Sequence, residues 1–302
     1  MQKKIVITFI FLNSLFICSQ IKVDTSFTLQ SEFLKQSKKF PFIKKVVVGN
    51  SPLIDEKKNI IYKALPKRNL HLDAFITNNS KEKLPAVLFI HGGGWKSGSK
   101  EMQNSLAKKM ASNGYQTFTI EYRLSGEAQY PAGIDDIRNA IDFIKKNAKI
   151  FKIDSNKIAI LGCSSGAQMA SLIGTKYPNE VNAVINIDGI LAFHHPDSEE
   201  GKTAALWLGG NDEEIPEVWN EASALSHVSK KTPPFLLINS QFKRFSAGQN
   251  EFIAKLKTFG INYKVEKIEN SPHTFWLFEP WFEPTIKYIT NFLNLNFKKS
   301  SK

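Results

Sequence analysis

Cysteine is nearly absent: Cys18 and Cys163 are the only two in 302 residues. Cys18 lies in an apolar N-terminal stretch, so the remainder of the chain holds one cysteine and no internal disulfide. Its core must hold the fold without a covalent staple. Aspartate disappears after Asp212, which constrains where a late acidic group can come from. The longest apolar run, Ile5 to Ile17, has 13 residues, against the roughly 20 a membrane-spanning helix needs. Internal repeats and low-complexity linkers are also missing. His194–His195 and the acids near them lack a recognisable metal-ligand spacing, so no metal or other cofactor is expected.

The basic start at Lys3 and Lys4, the apolar run and the following "CSQ" have the layout of a secretory signal peptide over residues 1–20. Export to the periplasm or the extracellular space is therefore expected, without stable membrane insertion. Lipid anchoring at Cys18 is the weaker rival, because Ile17 stands where a small residue would precede a lipidated cysteine. The formal charge of +12 comes from scattered lysines. It suits an anionic polymer such as pectin or a generally solvated basic surface. An export signal and the lack of a binding motif argue against nucleic acid.

After an irregular segment at 21–57, one catalytic domain is expected over 58–297. "KNIIYKAL" and "NLHLDAFI" read as strands, the second with His71 and Asp73 alternating with apolar partners. "LPAVLFIH" is a nearly continuous apolar run, as in a strand buried on both faces. A helix near 101–113, the strand "YQTFTIEY" and a helix from Pro131 with Ile134, Ile137, Ile141 and Ile144 on one face follow. The order continues as strand "KIAILG", helix 165–176, strand "NAVINID", helix 214–225, strand "PFLLIN", helix 248–259, strand "NYKVEKI" and helix 282–293. Apolar strands alternating with helices predict an α/β fold, a largely parallel sheet covered on both faces. Residues 190–230 exceed a plain crossover and are expected to form a small cap.

Two motifs carry chemistry. "LGCSSGAQ" sets Gly162, Ser164 and Gly166 in a G-x-S-x-G pattern between strand and helix. Such a turn strains the serine backbone, lifts its hydroxyl above the sheet and needs glycine on either side for strand and helix to approach. "HGGGW", His91 to Trp95, ends the earlier apolar strand. Its glycines let backbone N–H groups turn inward, and together with the N–H of Ser165 they can form an oxyanion hole. No phosphate-binding pattern follows this glycine run. Of the six histidines, His273 in "ENSPHTFWLF" is the candidate base, since it sits in the loop after the last predicted strand. His71 alternates in a strand, His91 belongs to the glycine loop, His194 and His195 follow the wrong strand, and His227 ends a helix.

HGGGW, "EYRLSGEAQYPAGIDDIRNAIDFIKKNA", GCSSGA and "PHTFW" together resemble the α/β-hydrolase superfamily. Within it the chain resembles the secreted bacterial carbohydrate esterases grouped with acetylxylan, pectin acetyl and feruloyl esterases, over about residues 58–295. The resemblance implies an eight-stranded sheet and a Ser–His–acid triad working through an acyl-enzyme, with Ser164 as nucleophile, His273 as base and Gly92, Gly93 and Ser165 as oxyanion donors. It also exposes a departure. Where the family carries an aspartate after the penultimate strand, this chain reads "INSQFKRFSAG". Glu251 lies about ten residues past that strand, in a predicted helix. One strand earlier "NAVINID" ends on Asp188, a position from which some lipases of the superfamily take their acid. Asp188 is the candidate acid, with Glu251, Asp212 or an acid-free dyad still open, and with Asp188 as a mere turn cap beside Gly189 as the bland reading.

The expected substrate is an acetylated, or feruloylated, cell-wall polysaccharide or oligosaccharide. Trp95 and Trp276 are candidate substrate contacts, Trp276 and Trp281 as platforms for sugar rings, although aromatic residues at this density are more often core. A small-molecule carboxylesterase or thioesterase of the same fold is the alternative. A non-enzymatic binding protein fits poorly with an intact Ser164, glycine loop and His273.

Overall fold

The computed structural model describes residues 24, 26–78, 80 and 82–297. The expected signal peptide and Cys18 lie outside these residues. Eight strands form one sheet: β1 (Ile54–Ala64), β2 (Asn69–Thr77), β3 (Leu84–Ile90), β4 (Gln116–Ile120), β5 (Ile153–Cys163), β6 (Ala183–Ile187), β7 (Phe235–Asn239) and β8 (Tyr263–Lys267). Their spatial order is β1-β2-β4-β3-β5-β6-β7-β8. β1, β2 and β4 pair antiparallel, and every pairing from β4 through β8 is parallel.

Strand periodicity divides the core in two. Leu88, Ile90, Ile160 and Val184 face one side and pack against helices α3 (Ala132–Lys146), α4 (Ser165–Lys176) and α7 (Gln249–Thr258). Val87, Phe89, Leu161 and Ile185 face the other and meet α2 (Asn104–Ser112) and α8 (Phe282–Phe297). Adjacent residues of one strand thus enter opposite cores, which is why these strands read as continuous apolar runs rather than alternating ones. In α3 the expected isoleucines Ile134, Ile137, Ile141 and Ile144 are all buried.

Two sequence expectations need correction. The segment 21–57 is not irregular throughout: α1 (Leu29–Gln36) is capped by Thr28, whose Oγ1 accepts from Ser31 N at 3.0 Å. Its capping box carries Ser31 where Glu or Gln is the usual signal, so the pattern was easy to pass over. Further along, Lys44–Lys45 pairs antiparallel with Phe278–Glu279, and β1 begins at Ile54, four residues before the expected domain boundary. The helix expected at 214–225 is shorter, α6 (Pro216–Glu221) followed by a 3₁₀ turn at Ala224–His227, and a further helix, α5 (Gly201–Leu208), precedes it. Asp73 alternates with Leu72 and Ala74 as expected, and its carboxylate is buried, with Lys100 Nζ at 3.0 Å and the Asn59 N–H donating to it at 2.9 Å.

Candidate active site

The parallel strands β5, β6 and β7 end side by side, and all three deliver parts of one site. At the end of β5 the chain turns sharply into α4. Ser164 stands at that turn with φ 56° and ψ −125°, a left-handed conformation that is costly for a residue with a Cβ. The surroundings hold it there. Ser164 N donates to Ile187 O at 2.9 Å, and Ser164 O accepts from Ala167 N and Gln168 N. A Cβ on Gly162 would lie 2.0 Å from Gly166 O, and one on Gly166 would lie 2.4 Å from Ile90 O. Both glycines are therefore required by backbone approach, as the G-x-S-x-G spacing implied.

His273, in the loop between β8 and α8, reaches over the sheet edge. Its Nε2 is 2.8 Å from Ser164 Oγ, and its Nδ1 is 2.7 Å from Asp188 Oδ2. Asp188 directly follows β6, is fully buried and has φ 53°. Its second oxygen, Oδ1, accepts from Ser240 N at 2.8 Å. Ser240 follows β7, at the strand end where the aspartate was expected by resemblance. In this chain that strand end contributes a backbone N–H that holds the carboxylate of the neighbouring strand. The tight turn after Asp188 is made by another residue: Gly189 N donates to Asn186 Oδ1 at 2.9 Å. A Cβ on Gly189 would sit 2.4 Å from Ala167 Cβ, so glycine is needed for α4 to approach. The other acids considered are engaged elsewhere, Glu251 beside His195 at 3.6 Å and Asp212 on His194.

The glycine loop lies against the serine. A Cβ on Gly92 would fall 2.9 Å from Ser164 Cβ, and Gly93 has φ 126°. The backbone N–H groups of Gly92, Gly93 and Ser165 have no acceptor among the described residues. They are free to donate to an incoming oxygen. His91 shapes this loop rather than reacting. It is buried, stacks on Tyr122 with ring centroids 4.4 Å apart, and its Nδ1–H meets Gly92 O at 2.8 Å.

Burial pushes the His91 pKa down to about 4, below the ordinary value of about 6.5. The unfolded chain then binds a proton that the folded one refuses. The corresponding stability is complete above about pH 6.5 and is lost as pH falls toward 4, by on the order of 3 kcal/mol. In urea unfolding at pH 7 and pH 4.5, His91→Asn should show a smaller loss on acidification than the wild type. Equal losses would overturn this account.

Both tryptophans put forward as substrate contacts are buried, each 2% exposed. Trp276 is not a platform for a sugar ring: it packs edge-on to His273, centroids 5.5 Å apart, inside the core beneath the loop. Trp281 is likewise engaged, edge-on to Phe40 at 5.4 Å. Trp95 lies beside Ser164, but its indole stacks on Trp207 of α5 at 5.2 Å and donates to Gln168 Oε1 at 3.0 Å. Gln168 Nε2 in turn donates to Ala222 O. Through these contacts the cap is packed onto the glycine loop.

Three residues of the site had not been singled out. Phe245 stacks face to face on His273, centroids 3.4 Å apart and planes within 9°. Glu200, at the start of α5, lines the cavity beside Ser164 together with Gly94, Trp95 and Phe245. Glu32 of α1 accepts from Thr274 Oγ1 at 3.1 Å, so the N-terminal helix braces the residue next to His273. Their local sequence carries no signal, since each acts through a long-range contact. Only "QFKRF", the stretch that replaced the expected acid, could have drawn attention to Phe245.

The fold and this arrangement define an α/β hydrolase, and comparison with known proteins agrees. The BD-FAE family profile matches residues 72–244, more than half of the chain, and the chain belongs to that family. It is 29% identical to Esterase LipC of Mycobacterium tuberculosis over 174 residues, 51% of this chain and 43% of that protein. It is 25% identical to Probable carboxylesterase 5 of Arabidopsis thaliana, over 78% of this chain and 85% of the plant protein. The match thus spans less than half of the mycobacterial relative. Among solved structures, a truncated carbohydrate esterase from gut microbiota superposes with TM-score 0.65 at 20% identity, covering 80% of this chain and 96% of that one. An esterase from Pseudomonas putida superposes with TM-score 0.69 at 16% identity, covering 91% and 92%. At these identities the likeness is one of fold.

Proposed function

We propose that the protein is an exported serine esterase that removes acetyl groups from cell-wall polysaccharide or its oligosaccharides through an acyl-enzyme. The observation that carries the chemistry is the unbroken chain Ser164 Oγ–His273 Nε2, His273 Nδ1–Asp188 Oδ2, at 2.8 and 2.7 Å. His273 takes the Ser164 proton as Oγ attacks the ester carbonyl. Asp188 holds the imidazole in the tautomer with Nδ1–H and stabilises the imidazolium that forms. The carbonyl oxygen, now negative, is met by the N–H groups of Gly92, Gly93 and Ser165. His273 then returns its proton to the leaving sugar oxygen. Water, deprotonated by the same residue, attacks the acyl-serine to release acetate and regenerate Ser164.

The cavity beside Ser164 holds about 20 Å³, room for a group the size of water or a methyl, which suits the methyl of an acetyl group. A larger hollow of about 520 Å³ lies on the cap around His194 and Asp212 and does not include Ser164. The sugar reading is supported by the carbohydrate esterase among the structural neighbours. Acetate release from acetylated xylan and acetylated pectin, with Ser164→Ala as the blank, tests it. Release that vanishes in the blank is expected, and a preference for pectin would reflect the excess of lysine and arginine over acidic residues. Turnover of 4-nitrophenyl acetate without release from either polymer would overturn the polysaccharide reading in favour of a small-molecule carboxylesterase.

A further inference from the structure

The imidazole of His273 is fixed on its edges by the triad, Ser164 at Nε2 and Asp188 at Nδ1. One of its faces is covered by Phe245, with ring centroids 3.4 Å apart and planes within 9°. A separation this short, against an optimal carbon–carbon contact of about 3.5–4.0 Å, leaves no room for lateral offset. Two neutral aromatic rings avoid that arrangement because their negative faces repel. They settle offset or edge-on, as Trp276 does against the same imidazole. A cation over an aromatic face is attracted instead. The stack therefore suits imidazolium better than imidazole. The backbone holds Phe245 in this place. Ser240 N is bonded to Asp188, and Gln241 Nε2 donates to Ser271 O at 3.0 Å, which ties the start of this loop to the His273 loop. At the other end Ala247 O accepts from Leu191 N at 2.9 Å. Phe245 lies between these anchors, in a 3₁₀ turn at Lys243–Ser246. The Arg244 guanidinium carbon lies 4.4 Å from the Phe245 centroid and, with the imidazole on one face, takes the other. Its charge is balanced by Glu199 at 3.1 Å and Glu200 at 3.7 Å, which weakens its competition for the ring.

We propose that Phe245 is a positioning residue for the reaction, its ring face favouring the imidazolium that His273 becomes when it takes the Ser164 proton. The proposal rests on the Ser164–His273 mechanism above and is independent of the polysaccharide substrate. Only an interaction stronger in the transition state than in the ground state raises the rate of the chemical step. Imidazolium forms with proton transfer, in acylation and again in deacylation, so the stack acts on kcat rather than on KM. Phe245 is half-buried and the His273 side chain is 19% exposed, so water screens the attraction only in part.

The test measures kcat, KM and Tm with 4-nitrophenyl acetate for wild type, for Phe245→Leu and for a series with mono-, di- and trifluorinated phenylalanine at position 245. Leucine keeps apolar bulk but has no π face. Fluorine withdraws electron density from the face while nearly preserving the shape of the ring. Phe245→Leu should lower kcat on the order of 3- to 30-fold, with KM changing by less than about twofold. In the fluorinated series kcat should fall stepwise with each added fluorine while Tm stays at the wild-type value. A kcat unchanged across the fluorinated series would make Phe245 plain packing and overturn the proposal, even where Phe245→Leu is impaired or fails to fold. Phe245 also lines the cavity beside Ser164. A rise in KM at constant kcat would therefore make it a wall of that cavity and equally overturn the proposal. Turnover by wild type that Ser164→Ala leaves undiminished would overturn the Ser164–His273 mechanism itself, and the role of Phe245 with it.

Discussion

Asp188→Asn lowers kcat by about 10⁴ while the protein keeps its fold. Asparagine has the same shape, and its side-chain oxygen can still accept from Ser240 N, which now meets Oδ1 at 2.8 Å. The group facing His273 Nδ1 then becomes an NH₂ donor. Nδ1 must accept, the ring proton moves to Nε2, and Nε2 can no longer take the proton of Ser164. The lesion is one of tautomer, so it appears in kcat rather than in stability. Steady-state turnover of 4-nitrophenyl acetate and a thermal unfolding curve measure the two separately. A loss below tenfold would remove Asp188 from the triad. The fully buried position of Asp188 makes a bystander role hard to sustain, because a carboxylate held out of water needs charged or hydrogen-bonding partners. Here those partners are His273 and the Ser240 amide.

Ser164→Ala and His273→Ala each reduce kcat by on the order of 10⁶, and the double variant is no worse than either single one. Nucleophile and base act as one unit: without the hydroxyl there is no proton to take, and without the imidazole the hydroxyl remains a weak nucleophile. What survives in all three is the contribution of the oxyanion donors and of substrate binding. Additive losses, with the double variant far below the singles, would show that the two side chains serve separate steps and would break the proposed mechanism. Both substitutions are expected to fold. Ser164 makes its fold-defining contacts through backbone atoms, and the His273 ring is flanked by Phe245 and Trp276, which belong to other elements or the loop core.

What could be read in the chain was local. The strand–glycine–serine–helix order, the glycine run after a buried strand and the 3.6-residue spacing of α3 are short-range patterns, and the backbone follows them closely. The acid shows the boundary. Its absence after β7 was visible in "INSQFKRFSAG", and Asp188 could be nominated because neighbouring parallel strands end close together. Its engagement with His273, across 85 residues of sequence, is a matter of distance. So is the reassignment of the β7 end, where Ser240 presents an N–H to Asp188 instead of carrying a carboxylate of its own.

The aromatic residues mark where composition misleads. Trp95 and Trp276 lie near the site, yet Trp276 is core under the His273 loop and Trp95 joins the glycine loop to the cap. Phe245, with no pattern to recommend it, is the ring that lies flat on His273. A hydrophobic side chain is drawn to whatever apolar surface the fold leaves available. Its identity alone does not say whether that surface is core, cap or substrate.

By itself the sequence determined the α/β architecture, because a strand buried on both faces and a helix buried on one impose distinct apolar periodicities. It likewise determined the serine elbow and the glycine loop, because those backbone paths admit only residues with little or no side chain at set positions. The tertiary structure alone decided which carboxylate meets His273, which ring stacks on it and how α1 reaches Thr274. Each of these joins residues far apart in the chain, and hydrogen bonds and ring contacts are set by separations of a few ångströms that no local pattern encodes.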